Sequence, residues 1–129
     1  MARKYQNLKI YSQAYAFVLE IYEILPLFPE SELRNMYSQL QRASTSIVLN
    51  IVEGASNRSN KVFLNHLQYS YGSCKEVFVL LSLAKDLQYL ESDIFSSLAG
   101  SLDILSAGIF RFMQSIDQEI LSYKKNYSL

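Results

Sequence analysis

The sequence is short of the residues that build chemical sites. Its 129 residues include one cysteine, one histidine and four glycines, and no tryptophan. A lone Cys74 cannot form an intrachain disulfide, which favours a reducing compartment, so we expect a cytoplasmic protein. The glycines form no phosphate-binding loop, and His66 is not part of the Glu-x-x-His motif of di-iron bundles. We therefore predict no metal, no cofactor and no enzymatic activity.

Neither sign of charge is in excess, and long apolar runs are missing. Twelve basic and twelve acidic residues cancel, so net charge provides no general attraction to nucleic acid or membrane. No segment reaches the roughly 18 uninterrupted apolar residues that a membrane span needs, and we expect no membrane partner. Yet half of the residues are hydrophobic and only 19% are charged. That excess indicates apolar surface covered by partner subunits, and hence a homo-oligomer.

Four helical patterns follow one another, because apolar residues recur every three or four positions. The first runs from Leu8 to Leu25, the second opens at Pro29–Glu32 and reaches Gly54, the third has its seam from Phe63 to Ala84, and the fourth has its seam from Phe95 to Ile116 and frays at Lys124. The predicted seams include Val18 and Leu33. Ser59 or Asn60 is the expected N-cap of the third helix and Ser92 that of the fourth. We predict one all-α domain over 1–129, an antiparallel up-down-up-down four-helix bundle with its core at about 8–121.

Such a bundle brings both termini and the second helix connection to one end. Those segments contain basic residues and no acidic one: Arg3, Lys4, Lys9, Arg58, Lys61, Lys124 and Lys125. The opposite end collects acidic residues. One interpretation is that chance and the helix dipole sort the charges in this way. The other is an anion-binding end that contacts RNA, because clustered lysines and arginines attract phosphate irrespective of sequence.

Polar residues stand where the second and third helices should be apolar. Asn50 and Gly54 occupy seam positions, and the third helix carries a companion set around Ser73. We expect a polar network between the two helices that fixes their register. Its predicted members are Ser46, Asn50, Glu53, Gly54, Ser73 and Glu76. The alternative is a catalytic pair formed by Glu53 and Glu76. We expect His66 to be exposed or partly packed, and Cys74 to behave as a small buried hydrophobe.

Several aromatic residues lie off the main seams: Tyr15, Tyr22, Tyr37, Tyr69, Tyr71 and Phe78. A second apolar face of this kind is typical of subunit interfaces, which are enriched in tyrosine and phenylalanine. Stacking on unpaired bases is the alternative use.

The motifs around these residues resemble one family of bacterial proteins. They are Leu8-Lys9-Ile10-Tyr11, Phe28-Pro29, Gln39-Leu40-Gln41-Arg42-Ala43, Ser46, Asn50-Ile51-Val52-Glu53-Gly54 and Gly72-Ser73-Cys74-Lys75-Glu76. In this order they are similar to the 23S rRNA intervening-sequence proteins, also called the four helix bundle protein family. That family includes the accessory variability protein of diversity-generating retroelements, a pentamer that binds RNA and a reverse transcriptase.

The resemblance implies an up-down four-helix fold, a homopentameric ring, no enzymatic activity and RNA binding. We name Arg42, Arg58 and Lys61 as candidate RNA contacts in this chain. Two departures lower the positive charge. Family members often have two consecutive arginines where this chain has Gln41-Arg42, and an aromatic residue, glycine and arginine where it has Ala55–Arg58. The alternative to RNA binding is a self-assembling adaptor that recruits a protein partner, such as a reverse transcriptase, without touching RNA.

Overall fold

A computed structural model describes residues 3–127, which form four long helices and no strand. The helices are α1 (Lys9–Ile24), α2 (Ser38–Ala55), α3 (Asn60–Asp86) and α4 (Ser92–Tyr127). Single 3-10 turns at Tyr5–Asn7, Leu25–Leu27 and Glu30–Glu32 and a π-helical turn at Leu33–Tyr37 complete the order. The all-α prediction is confirmed.

The four helices enclose one apolar core. α1 contacts α2 and α4, α3 contacts α2 and α4, and the α2–α3 contact is the most extensive. Each helix contributes one stripe of buried side chains. The largest that are fully buried are Phe17, Ile21, Leu25, Leu40, Ile47, Ile51, Phe63, Leu67, Leu81, Leu105, Ile109 and Ile116. Burying a side chain of this size contributes about 1.5–3 kcal/mol, so these stripes dominate the stability of the fold.

Two predicted seams are displaced. The buried stripe of α1 passes through Ile10 and Phe17, which leaves Val18 only half-buried. Leu33 is 50% exposed, because regular α-helix begins only at Ser38. Leu33 lies in the π-helical turn that precedes α2. This turn has more than 3.6 residues per turn, so the α-helical spacing assumed for Leu33 does not apply there. Met36 is the residue of that turn that enters the core.

The helix starts are set by local hydrogen bonds. The Ser59 hydroxyl accepts a hydrogen bond from the Val62 N–H at 3.3 Å, which confirms Ser59 as the N-cap of α3. Ser92 is already helical, and the Phe95 N–H donates to the Glu91 carbonyl at 3.0 Å. The predicted cap at Ser92 is therefore wrong by one residue. α4 also does not fray at Lys124, since it is helical to Tyr127.

α4 is long and apolar enough to cross a membrane by length and composition alone. In this structure its apolar residues are divided between two surfaces. Leu98, Leu102, Leu105 and Ile109 are buried against the other helices, whereas Ile104 is 61% exposed on the outer side.

α3 ends in a Schellman motif with an unusual residue. The Tyr89 N–H donates to the Ala84 carbonyl at 2.8 Å and the Gln88 N–H to the Lys85 carbonyl at 3.0 Å. The motif requires a left-handed residue, normally glycine, and here Gln88 has a φ of 66°.

Gln88→Gly should therefore raise the free energy of unfolding by about 0.5–1 kcal/mol in urea denaturation. Gln88→Ala, which keeps a Cβ, should give no such gain; an equal gain would exclude backbone strain as the cause.

Candidate functional site

A chain of polar contacts joins the middle of α2 to α3. The Asn50 amide donates to the Ser46 carbonyl at 2.9 Å and to the Ser46 hydroxyl at 3.0 Å. The Ser73 hydroxyl donates to the Ser46 hydroxyl at 2.9 Å, across the helix pair. Deeper in the pair, the Ser70 hydroxyl donates to the Ile47 carbonyl at 2.8 Å. Because polar groups satisfy each other only in one alignment, these bonds define the register of α2 against α3.

His66 also links the two helices, a role that was not predicted from the sequence. Its Nδ1 lies 3.0 Å from the Asn50 side-chain oxygen. Since the Asn50 amide nitrogen already donates to Ser46, the oxygen faces the ring, and Nδ1 must be the donor. The ring is partly packed, as expected. The signal present in the sequence is that His66, Ser70 and Ser73 recur at the spacing of one helix face.

At Gly54 the backbone of α2 lies close to the side chains of α3. A Cβ added there would lie 2.7 Å from the Phe63 Cδ1 and 2.8 Å from the His66 Cβ. The residue is buried at the end of α2, so only glycine leaves room for the ring and the histidine side chain. The structure thus places Gly54 against Phe63 and His66 of α3.

The two predicted glutamates lie outside the chain of hydrogen bonds. Glu53 Oε2 is 3.7 Å from His66 Nδ1, and its side chain is 69% exposed. Glu76 is exposed and lines a shallow cleft with Arg42 and Gln39. Glu76 is about 15 Å along α3 from His66, the neighbour of Glu53. That separation places the two carboxylates too far apart to act together as an acid–base pair.

Cys74 is buried in the α3 stripe, as predicted. Loss of solvent around the thiol raises the pKa of Cys74 to about 12, and the neighbouring Lys75 only partly opposes that rise. The thiol is therefore neutral at pH 7, and the nucleophilic thiolate is not populated. In the part of the chain that the structure describes, no three His, Cys, Asp or Glu side chains converge to hold a metal.

A second cluster lies where the N-terminus, the α2–α3 connection and late α4 meet. The Arg3 N–H donates to the Ala55 carbonyl at 3.0 Å. Its guanidinium donates to the Asn60 side chain at 2.8 Å and lies 3.5 Å from Glu119. The same guanidinium sits 4.8 Å from the centre of the Phe63 ring. Arg3 is thus occupied by contacts within the chain, and Glu119 is an acidic neighbour that the sequence analysis did not place here.

The other basic residues predicted for this end are solvent-exposed: Lys4, Lys9, Arg58, Lys61, Lys124 and Lys125. Lys61 and Lys124 line one groove between the start of α3 and the end of α4. Arg42 is also exposed but lies near Glu76, about 20 Å along α2 from the connection at Ala55. The predicted RNA-contacting residues therefore fall into two places, and Arg42 stands apart from the others.

These features define an all-helical protein whose middle helices are joined by a glycine contact and a polar network. Residues 6–111 match the family described as 23S rRNA-intervening sequence protein, and the chain belongs to that family. A protein with unknown function from the S23 ribosomal protein family of Bacteroides thetaiotaomicron has a similar crystal structure. Its TM-score is 0.76 at 19% identity, over 81% of this chain and 95% of that one, so the likeness concerns the fold. Among curated proteins, none matches this chain.

Proposed function

We propose that this protein is a non-enzymatic, cytoplasmic, homo-oligomeric RNA-binding protein. In this proposal the helices run up-down-up-down, five subunits form a ring, and the basic end of each subunit contacts RNA phosphates. The observation that carries it is the group of exposed basic side chains at one end of a chain with no net charge.

Attraction of this chain to phosphate depends on where its charges are, since their sum is zero. Lys61 and Lys124 share a groove whose one carboxylate, Glu119, is 3.5 Å from Arg3. That pairing offsets the negative charge nearest to the groove and leaves Lys61, Lys124 and the adjacent Lys125 to interact with an anion. Clustered exposed lysines supply a phosphate attraction that weakens as salt rises.

The apolar surface supports self-association. Tyr15, Leu19 and Tyr22 recur on one outer face of α1, and Leu19 is 55% exposed. Phe78 and Val79 lie on the outer side of α3, where Phe78 and Tyr71 line a groove against α4. Two different apolar faces on one subunit suit the head-to-tail contacts that close a ring.

The first experiment is light scattering on the purified protein, with the absorbance ratio for co-purifying nucleic acid recorded at low and high salt. We expect a pentameric mass, with RNA retained at low salt and released at high salt.

The variant Arg58→Gln, Lys61→Gln, Lys125→Gln should bind RNA at least about tenfold more weakly and with a shallower salt dependence, by about one unit of slope per lost contact.

The matched control removes the same charge elsewhere, at exposed positions away from that end: Arg34→Gln, Lys75→Gln and Arg111→Gln. It should bind RNA as the unchanged protein does. Equal losses in the two variants would show that only total charge matters. A pentamer free of nucleic acid at low salt would instead favour the adaptor that recruits a protein partner, and a monomer would contradict the assembly.

A further inference from the structure

The end of α4 projects beyond the helix on which it packs. The Asn60 side chain, in the first residue of α3, donates to Glu119 at 3.1 Å, so these two residues are level. Residues 120–127 continue the helix past that point by about 12 Å. We call residues 120–127 the α4 tail. The family match ends at residue 111, so the tail lies outside the matched residues.

The apolar stripe of α4 continues into the tail and becomes aromatic. Ile116 is 1% exposed and Ile120 is half-buried, whereas Tyr123 and Tyr127 are 59% and 63% exposed on the same helical spacing. Their rings lie 4.6 Å apart between centroids with an angle of 33°. The positions that pack into the core elsewhere in α4 thus carry, in the tail, two adjacent rings that are tilted against each other and lie mostly in solvent.

Lysines lie beside the first of the two rings. Tyr123 and Ile120 line the groove with Lys61 and Lys124, and Lys125 is next in the chain. The remaining charged group of the groove, Glu119, is held by Arg3 and Asn60. Exposed rings beside lysines match a chain that alternates flat apolar groups with negative charges. Single-stranded nucleic acid has this chemistry, since unpaired bases stack on aromatic rings and phosphates pair with lysine.

We infer that the α4 tail is a stacking platform for unpaired bases of RNA, with Tyr123 and Tyr127 as the platform and Lys61 and Lys124 as its phosphate contacts. This inference rests on the RNA binding proposed above and adds to it a preference for single strands. A duplex would offer the lysines its phosphates but would keep its bases from the rings.

The test measures binding of a fluorescently labelled 12-nucleotide single-stranded RNA and of a 12-base-pair RNA duplex by anisotropy at low salt. The variant Tyr123→Leu, Tyr127→Leu removes both rings and keeps apolar, helix-favouring side chains. The matched control Tyr123→Phe, Tyr127→Phe keeps the rings. We expect the leucine variant to lose at least about tenfold in affinity for the single strand, while the phenylalanine variant binds as the unchanged protein does.

The outcomes separate this inference from the function on which it rests. Unchanged binding by the leucine variant, together with RNA binding by the unchanged protein, would overturn the platform and leave the proposed function standing. If the unchanged protein binds neither RNA, both fail. A leucine variant whose mass in solution differs from that of the unchanged protein would assign the tail to a subunit contact and overturn the platform.

Discussion

Gly54→Ala should lower the free energy of unfolding by about 1–2 kcal/mol, even though alanine is the better helix former. The added Cβ would lie 2.7 Å from the Phe63 ring and 2.8 Å from the His66 Cβ. The His66 Cβ is fixed by its backbone and cannot move aside as the end of a flexible side chain can. The two helices must therefore separate locally, which weakens the contacts of Phe63, a fully buried residue of the core.

Two other glycines provide the matched controls for this substitution. A Cβ added at Gly72 or Gly100 would meet nothing within 4 Å. Because both glycines lie inside helices, Gly72→Ala and Gly100→Ala should raise the free energy of unfolding by about 0.5–1 kcal/mol. Urea denaturation followed by circular dichroism measures all three. A Gly54→Ala protein as stable as the two controls would show that α2 and α3 do not meet as closely as described.

Asn50→Leu should lower the free energy of unfolding by about 1–3 kcal/mol while the chain stays helical. The substitution removes the oxygen that accepts from His66 Nδ1 at 3.0 Å and the amide that donates to Ser46. The partly buried ring nitrogen then loses its hydrogen-bond acceptor, and Glu53 lies 3.7 Å away. The control Asn65→Leu changes an exposed asparagine of α3, and we expect it to shift stability by less than about 0.5 kcal/mol.

A double variant tests whether the loss comes from the pairing itself. In Asn50→Leu with His66→Leu both partners are apolar, so no donor is left without an acceptor, and part of the lost stability should return. Additive losses would mean that the two side chains contribute independently. An Asn50→Leu protein that unfolds more sharply, with its oligomeric state unchanged, would contradict the view that the polar contact sets the register of α2 against α3.

The sequence was sufficient for the number of helices and for most of their bounds, because apolar spacing of three and four residues reports a helix face directly. Leu33 was misplaced because a π-helical turn changes that spacing and carries no composition signal of its own. The predicted N-cap of α4 is Ser92, whereas the structure places it one residue earlier, at Glu91. Sequence preferences at helix ends fix the start of a helix only to within one or two residues.

Part of the polar network could be predicted from the sequence, because polar residues and glycine stand out at positions that are otherwise apolar. Asn50 and Gly54 interrupt an apolar seam, and an interruption is visible in the sequence. His66 was not assigned, since a histidine beside polar neighbours is usual on a helix surface and its partner is on another helix. Glu53 and Glu76 were grouped with the network from their neighbours in sequence, whereas their side chains point largely to solvent. Arg3 was predicted as a free cation because pairing with Glu119 depends on tertiary packing.

The number of residues by which α4 extends beyond α3 also determines which way the Tyr123 and Tyr127 rings face around the helix axis. Each residue of a helix turns the next by about 100° and advances it by about 1.5 Å. One residue inserted between Ile120 and Tyr123 would therefore rotate the tyrosine pair by about a quarter of a turn around the helix axis, away from Lys61, and leave Ile120 in place against the core. Seven inserted residues would return the pair to nearly the same bearing, about 10 Å farther out. The number of residues between Glu119 and Tyr123 thus sets the side of the helix on which the rings lie. The number of whole turns sets their distance from the rest of the bundle.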